Sequence, residues 1–313
     1  MLTQTSRTSR STTVDEAFAY CASLTNAHYE NFPVASLFLP AEKRPYIQSI
    51  YAFARTADDF ADDPGRSERE RLQLLENWTN QLQRCYLIDE EKSSAGAEHP
   101  VFIALKETIR HLDIPIEPLA DLLTAFSMDV RKKRFATFDE VLYYCKHSAN
   151  PVGRVVLMIF GYRDEELFLY SDKICTALQL ANFWQDMAID FKKNRVYIPQ
   201  DDLIRFSYGE GELRKGVVDE RFRALMRFEV ERTRELFYQG APLPSLVDKD
   251  LQLELKFVWF GGMAILRKIE RVGFDVFRRP PVLHVGNKLA IFLRGLFKND
   301  LTTYKRKQEW DLT

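Results

Sequence analysis

The chain has 313 residues, of which 46% are hydrophobic and 28% charged, with a formal net charge of −1. That is room for a substantial core in one large domain or two ordinary ones, and a balance this close to neutral lacks the basic excess of a nucleic-acid binder. The four cysteines, Cys21, Cys85, Cys145 and Cys175, form no CxxC pair, which argues against a zinc site or dithiol and for a reduced, cytoplasmic chain.

The opening stretch "MLTQTSRTSRSTTVDEAF" is rich in Ser and Thr and has no apolar core. It is no secretory signal, and residues 1–14 are expected to form a disordered tail. From residue 15 to 283 the apolar spacing is helical. "FIALKETIRHL", "LADLLTAFSMDV", "ICTALQLANFWQDMAIDF" and "FRALMRFEVERTRELFYQ" repeat at three or four residues. Alternating strand patterns with Asn-Gly or Asp-Gly turns are absent. Breaks are expected at Pro64–Gly65, Lys92–Pro100, Ile114–Pro118, Gly209–Gly216, Gly240–Pro244 and Arg278–Pro281. The pattern predicts one all-α domain of a dozen or so helices. The longest apolar runs, "FVWFGGMAIL" and "LAIFLRGLF", are about half the roughly 20 residues of a membrane span.

The first chemistry-bearing stretch is "RTADDFADD", Arg55 to Asp63, which continues the apolar helix pattern of "IQSIYAF". At about 100° per residue, Tyr51, Arg55, Asp58 and Asp62 fall within roughly 60° of one another, while Asp59 and Asp63 lie off that line. Two carboxylates at i and i+4 repel by a few tenths of a kcal/mol, a cost that a hard cation shared with phosphate would offset. Taken alone, the stretch reads first as an ordinary solvated acidic face, with Arg55 in an intrahelical ion pair. A second stripe changes the balance. In "QLANFWQDMAIDFKKNRVYIP", Gln179, Asn182, Asp186 and Asp190 line up among Leu180, Phe183, Trp184, Met187 and Ile189. A polar line on an otherwise apolar helix is expected to face a cavity, where its carboxylates need partners or a metal. Together the stripes suggest two acidic helices holding Mg²⁺ and a diphosphate at the mouth of an apolar pocket. That pairing implies a prenyl diphosphate whose departure leaves a cation shielded from water.

Three segments, in order, resemble the squalene/phytoene synthase family: "YAFARTADDFAD", "YYCKHSANPVGRVVL" and "QLANFWQDMAIDFKKNRVYIP". The resemblance implies the all-α isoprenoid-synthase fold with a central apolar cavity. By position it implies Asp58, Asp59, Asp62, Asp186 and Asp190 as ligands of two or three Mg²⁺ ions. Arg55, Arg195, Asn182 and Gln179 would bind or support diphosphate, where a forked guanidinium suits the oxygens. Tyr51, Tyr144 and Tyr197 would line the site and face carbocations. "HYENFPVASLFLP" and the stretch after the second motif look like the bacterial hydroxysqualene synthase branch of hopanoid biosynthesis. That branch converts presqualene diphosphate to hydroxysqualene without NADPH. Its partners are a presqualene diphosphate synthase and a flavin-dependent reductase that forms squalene. Head-to-head condensation of two prenyl diphosphates is the alternative within the family. A terpene cyclase would need Ser or Thr and then Glu after Asn182, where Asp186 and Asp190 stand; a catalytically dead scaffold is disfavoured because both stripes are complete.

The match has departures. Asn150 and Pro151 follow Ala149 where the family has Ala-Gly; Pro151 fits a kinked helix, and Asn150 is read as a cap, with a water-holding role as the alternative. Gln185 replaces a common Arg beside Asp186. His28 and His147 are read as structural. No GxGxxG occurs, and "GEG" at Gly209 to Gly211 is a poor phosphate loop. Residues 284–313 form a basic amphipathic segment, read as a docked terminal helix, with peripheral contact to anionic lipid as the alternative.

Overall fold

Thr13 starts the first helix. Its hydroxyl accepts from the Glu16 N–H at 3.2 Å while Glu16 accepts from the Thr13 N–H at 2.8 Å, a capping box. The first helix thus begins at Val14, inside the span expected to be a tail. The computed structural model describes residues 12–27, 40–87, 99–281 and 301–302. The rest of the tail, His28, most of "HYENFPVASLFLP" and nearly all of the basic C-terminal segment lie outside the described residues.

The helices are α1 (Val14–Ala27), α2 (Arg44–Asp62), α3 (Glu68–Cys85), α4 (Pro100–Leu112), α5 (Ile116–Arg131), α6 (Phe138–Ser148), α7 (Asn150–Ile159) and α8 (Glu165–Lys192). Then come α9 (Gln200–Arg205), α10 (Glu210–Lys215), α11 (Glu220–Gly240), a 3₁₀ turn at Leu243–Ser245 and α12 (Lys249–Arg271). The all-α expectation holds. Gly209–Gly216 is not a loop as expected: Gly209 opens the short helix α10, and Gly216, at φ +60°, closes it. Among the described residues no helix is long and apolar enough to cross a membrane, and all four cysteines are free.

Two helices act as hubs. α2 packs against α1, α3, α4, α5 and α7, and α8 against α6, α7, α11 and α12. α2 can be surrounded because its inner face is mostly small: Ala52, Ala57 and Ala61 are fully buried beside Phe53. Phe53 and Phe102 pack on Trp78, whose indole donates to the Phe53 carbonyl at 3.3 Å. On α8, buried Trp184 donates to the Thr233 hydroxyl of α11 at 2.8 Å, giving the indole N–H the partner that burial demands.

The middle motif is broken at Ala149, between α6 and α7, with Pro151 in the first turn of α7. Asn150 does not cap that helix. Its carboxamide oxygen accepts from the Thr176 hydroxyl of α8 at 2.8 Å, so the amide ties α7 to α8. Gly153 lets the two helices approach: a Cβ there would stand 2.3 Å from the Ser171 oxygen and 2.5 Å from the Cys175 sulfur. His147 is structural, its Nδ1 2.8 Å from the Tyr143 carbonyl.

Candidate active site

On α2 the spacing delivers its stripe, with Tyr51, Arg55, Asp58 and Asp62 all half-buried along one face. The Arg55 guanidinium reaches Asp58 at 3.3 Å and Asp59 at 2.5 Å. Asp59, half exposed and off the line, thus closes on Arg55. Burial and the neighbouring Asp62 charge push the Asp58 carboxyl up, against the pull of Arg55. Burial would raise Asp62 as well, but Arg195 at 2.5 Å and Lys193 at 3.1 Å overcome it and hold that carboxyl below its ordinary range.

On α8, Gln179, Asp186 and Asp190 are half-buried, while Leu180, Phe183, Trp184 and Met187 are buried. Asn182 and Ile189 are exposed. They lie within about 20° of each other around the helix, so this edge of α8 faces solvent and the polar stripe runs along a rim. The sequence led us to expect a helix buried on all sides of that stripe. Burial, reinforced by Asp186, pushes the Asp190 carboxyl up to about 6; burial also raises Asp186.

The two motifs meet through cations. After α8 the chain turns at Asn194, held at φ +59°, and Arg195 crosses to Asp62 of α2. Arg134 fixes this turn. Its Nε and Nη2 donate to the Glu210 carboxylate at 2.6 and 3.0 Å, Nη1 to the Lys133 and Asn194 carbonyls at 2.8 and 2.6 Å, and Nη2 to Asn194 Oδ1 at 3.0 Å. All five guanidinium protons are used. The backbones of the two segments also pair: Val196 N–H donates to Lys133, Gln200 to Phe135 and Asp201 to Ala136, around a single parallel bridge between Arg134 and Val196.

Behind Arg195 sits an acid that the sequence reading missed. Asp129, buried on α5, accepts from the Tyr144 hydroxyl at 2.9 and 3.0 Å and from Tyr197 at 3.5 Å. Tyr197 stacks on Phe183 at 3.6 Å between ring centres and on Phe135 at 5.6 Å. So Tyr144 and Tyr197 do come together, with their oxygens gathered on one carboxylate and their rings in an aromatic cluster. Burial, then the Asp129 charge, holds both phenols well above their ordinary range. A small pocket of about 10 Å³, lined by Phe183, Met187, Asp190, Arg195 and Tyr197 among others, opens beside this cluster. The signal for Asp129 lay in its position: it follows Leu122 and Ala125 on the buried side of α5, where an acid needs partners.

Among the described residues no three acidic, His or Cys side chains converge as a cation cage. The acids instead form two carboxylate pairs, each with a member raised by burial and then by its neighbour's charge. One or two carboxylates per ion, completed by phosphate oxygens, is how Mg²⁺ is commonly bound, and the pairs fit a cation of that kind.

A family model for squalene/phytoene synthase matches residues 25–286. The chain belongs to the squalene/phytoene synthase family. This family consists of enzymes of prenyl diphosphate head-to-head condensation. The chain is 35% identical over 233 residues to the hydroxysqualene synthase of Zymomonas mobilis, covering 73% of this chain and 75% of that one. It is 30% identical over 283 residues to the phytoene synthase of Arthrospira platensis, covering 85% and 88%. The crystal structure of the squalene synthase HpnC from Alicyclobacillus acidocaldarius superposes with a TM-score of 0.77 at 38% identity, over 83% of this chain and 95% of that one. A dehydrosqualene synthase at 22% identity, TM-score 0.78, shares the fold over 90% of this chain and 96% of that one.

Proposed function

We propose that this family member converts presqualene diphosphate to hydroxysqualene, as a cytoplasmic enzyme that needs no NADPH. The observation that carries the reading is the meeting of both motifs at Asp62 and Arg195, directly against the Tyr144–Tyr197–Phe183 cluster. Charge for a leaving diphosphate stands beside aromatic walls for the cation it leaves behind. The stronger identity to hydroxysqualene synthases favours this branch.

Asp58, Asp62, Asp186 and Asp190 would hold two or three Mg²⁺ ions, with Asp59 auxiliary and Gln179 and Asn182 in support; the bound ions neutralise diphosphate charge and improve the leaving group. Arg55 and Arg195 bind the diphosphate oxygens. The C–O bond breaks with its electron pair going to diphosphate. After rearrangement, a water oxygen bonds to the final cation and loses a proton, so no hydride is required. Tyr51, Tyr144 and Tyr197 orient the diphosphate end and offer ring faces to the cations. The pathway neighbours on this reading are a presqualene diphosphate synthase and a flavin-dependent, squalene-forming reductase.

The phytoene synthase relatives support a second reading, condensation of two prenyl diphosphates. Mass spectrometry of lipids made from either presqualene diphosphate or farnesyl diphosphate, each with Mg²⁺, separates the two. Hydroxysqualene from presqualene diphosphate alone is expected. Turnover of farnesyl diphosphate by itself would sink the branch assignment.

A further inference from the structure

Arg71 and Lys133 belong to neither acidic motif, yet both stand at the place where the motifs meet. Arg71, on α3, donates from Nη1 to the carbonyl of Ala61 at 2.8 Å, one residue before Asp62. Its Nε is buried without an acceptor. Lys133, just after α5, donates its ammonium to the carbonyl of Asp129. Among the described residues no carboxylate pairs with either side chain. Both are half-buried.

The surroundings are crowded with positive charge. Burial lowers the Lys133 ammonium, and the charges of Arg195 and Arg71 lower it further, against Asp129 and Asp62. Arg71, Lys133, Lys193 and Arg195 thus gather near Asp62, which among the described residues is the one carboxylate that pairs with any of the four. The Nε–H groups of Arg55 and Arg195, like that of Arg71, are buried with no acceptor. Buried donors without acceptors and half-buried cations without counter-ions are both costly, and one multiply charged anion relieves both. Phosphate oxygens suit the open edge of a guanidinium fork and the point charge of a lysine.

We propose that Arg71 and Lys133 are diphosphate ligands, completing with Arg55 and Arg195 a cationic wall for the diphosphate of the substrate and for the pyrophosphate it releases. The inference rests on the functional reading above for the identity of the anion. Arg71 reaches in from α3 and Lys133 from the segment after α5, so the wall spans elements that neither motif includes.

Calorimetric titration of the full-length protein with inorganic pyrophosphate, with and without Mg²⁺, tests it. Arg71→Met and Lys133→Met are each expected to bind at least about tenfold more weakly than wild type. Lys173→Met, which removes an exposed α8 lysine, is expected to bind as wild type does. Presqualene diphosphate kinetics separate the two sources of the anion. A matching rise in KM means the wall holds the substrate; weaker pyrophosphate binding with KM unchanged means it holds the released product. Should Arg71→Met fail to fold for want of its bond to Ala61, Lys133→Met alone decides. Pyrophosphate affinity and KM both at wild-type values in a folded Lys133→Met overturn the proposal. Wild-type protein that binds pyrophosphate but turns over neither prenyl substrate would refute the functional reading and leave the wall standing.

Discussion

Asp129 links the charged and aromatic halves of the site. Its carboxylate takes the hydroxyls of Tyr144 and Tyr197 while lying within electrostatic reach of Arg195, Asp62 and Asp58. Burial pushes this carboxyl up to about 6. The folded state therefore holds the proton more tightly than the unfolded chain, and ionising Asp129 costs stability as pH rises from about 4 to about 6. Asp129→Asn removes that cost but offers only one neutral acceptor to two phenols. At pH 8 the variant is expected to melt no lower than wild type, while kcat falls by about tenfold or more; at pH 4 its stability advantage disappears. Thermal melts at both pH values with steady-state kinetics check this, and a clear loss of stability at pH 8 would make Asp129 a structural residue only. The difference between this acid and the others explains what was legible. Asp58, Asp62, Asp186 and Asp190 announce themselves by helical spacing. Asp129 is solitary and precedes Arg131, Lys132 and Lys133, so in sequence it looks like the polar end of a helix.

The elements divide the same way. Long helices such as α5, α8 and α11 follow directly from apolar periodicity, because each buries a continuous face. The pairing of residues 133–136 with 196–201 carries no such signal. It joins segments about 60 residues apart through a few backbone bonds and one saturated arginine, and neither segment repeats. Yet this pairing aims Arg195 and Tyr197. Arg134→Met removes all five donors, so the turn at Asn194 keeps its backbone bonds to Phe191 and Asp190 but loses its tie to the 133–136 segment and to Glu210. Hydrogen exchange at the Val196 and Gln200 amides is expected to quicken at least tenfold, with α1 amides unchanged. Unaltered protection at both amides would show that Arg134 does not set the loop. The same logic accounts for Asn150, whose partner Thr176 lies 26 residues away on another helix and so left the cap as the natural reading.

At the scale of the molecule, each acidic motif rides on a hub helix, α2 or α8, surrounded by packed neighbours. A site built on the most buttressed elements keeps its geometry, and the contact between Arg195 and Asp62 closes the two halves over it. Fold class and family were legible in the sequence because three motifs sit on strongly periodic helices. The direct meeting of acids across the site was an expectation that the structure refines: Lys193 and Arg195, from the end of the second motif, pair with Asp62 of the first and also act on Asp190. The central claim is that carboxylates on both hubs serve one diphosphate-releasing reaction. Turnover of presqualene diphosphate by Asp58→Ala and by Asp186→Ala, with circular dichroism to confirm the helices, tests it most directly. The account predicts that each variant keeps its helical spectrum and loses at least about a hundredfold in turnover. A folded variant of either kind that works at the wild-type rate would contradict it.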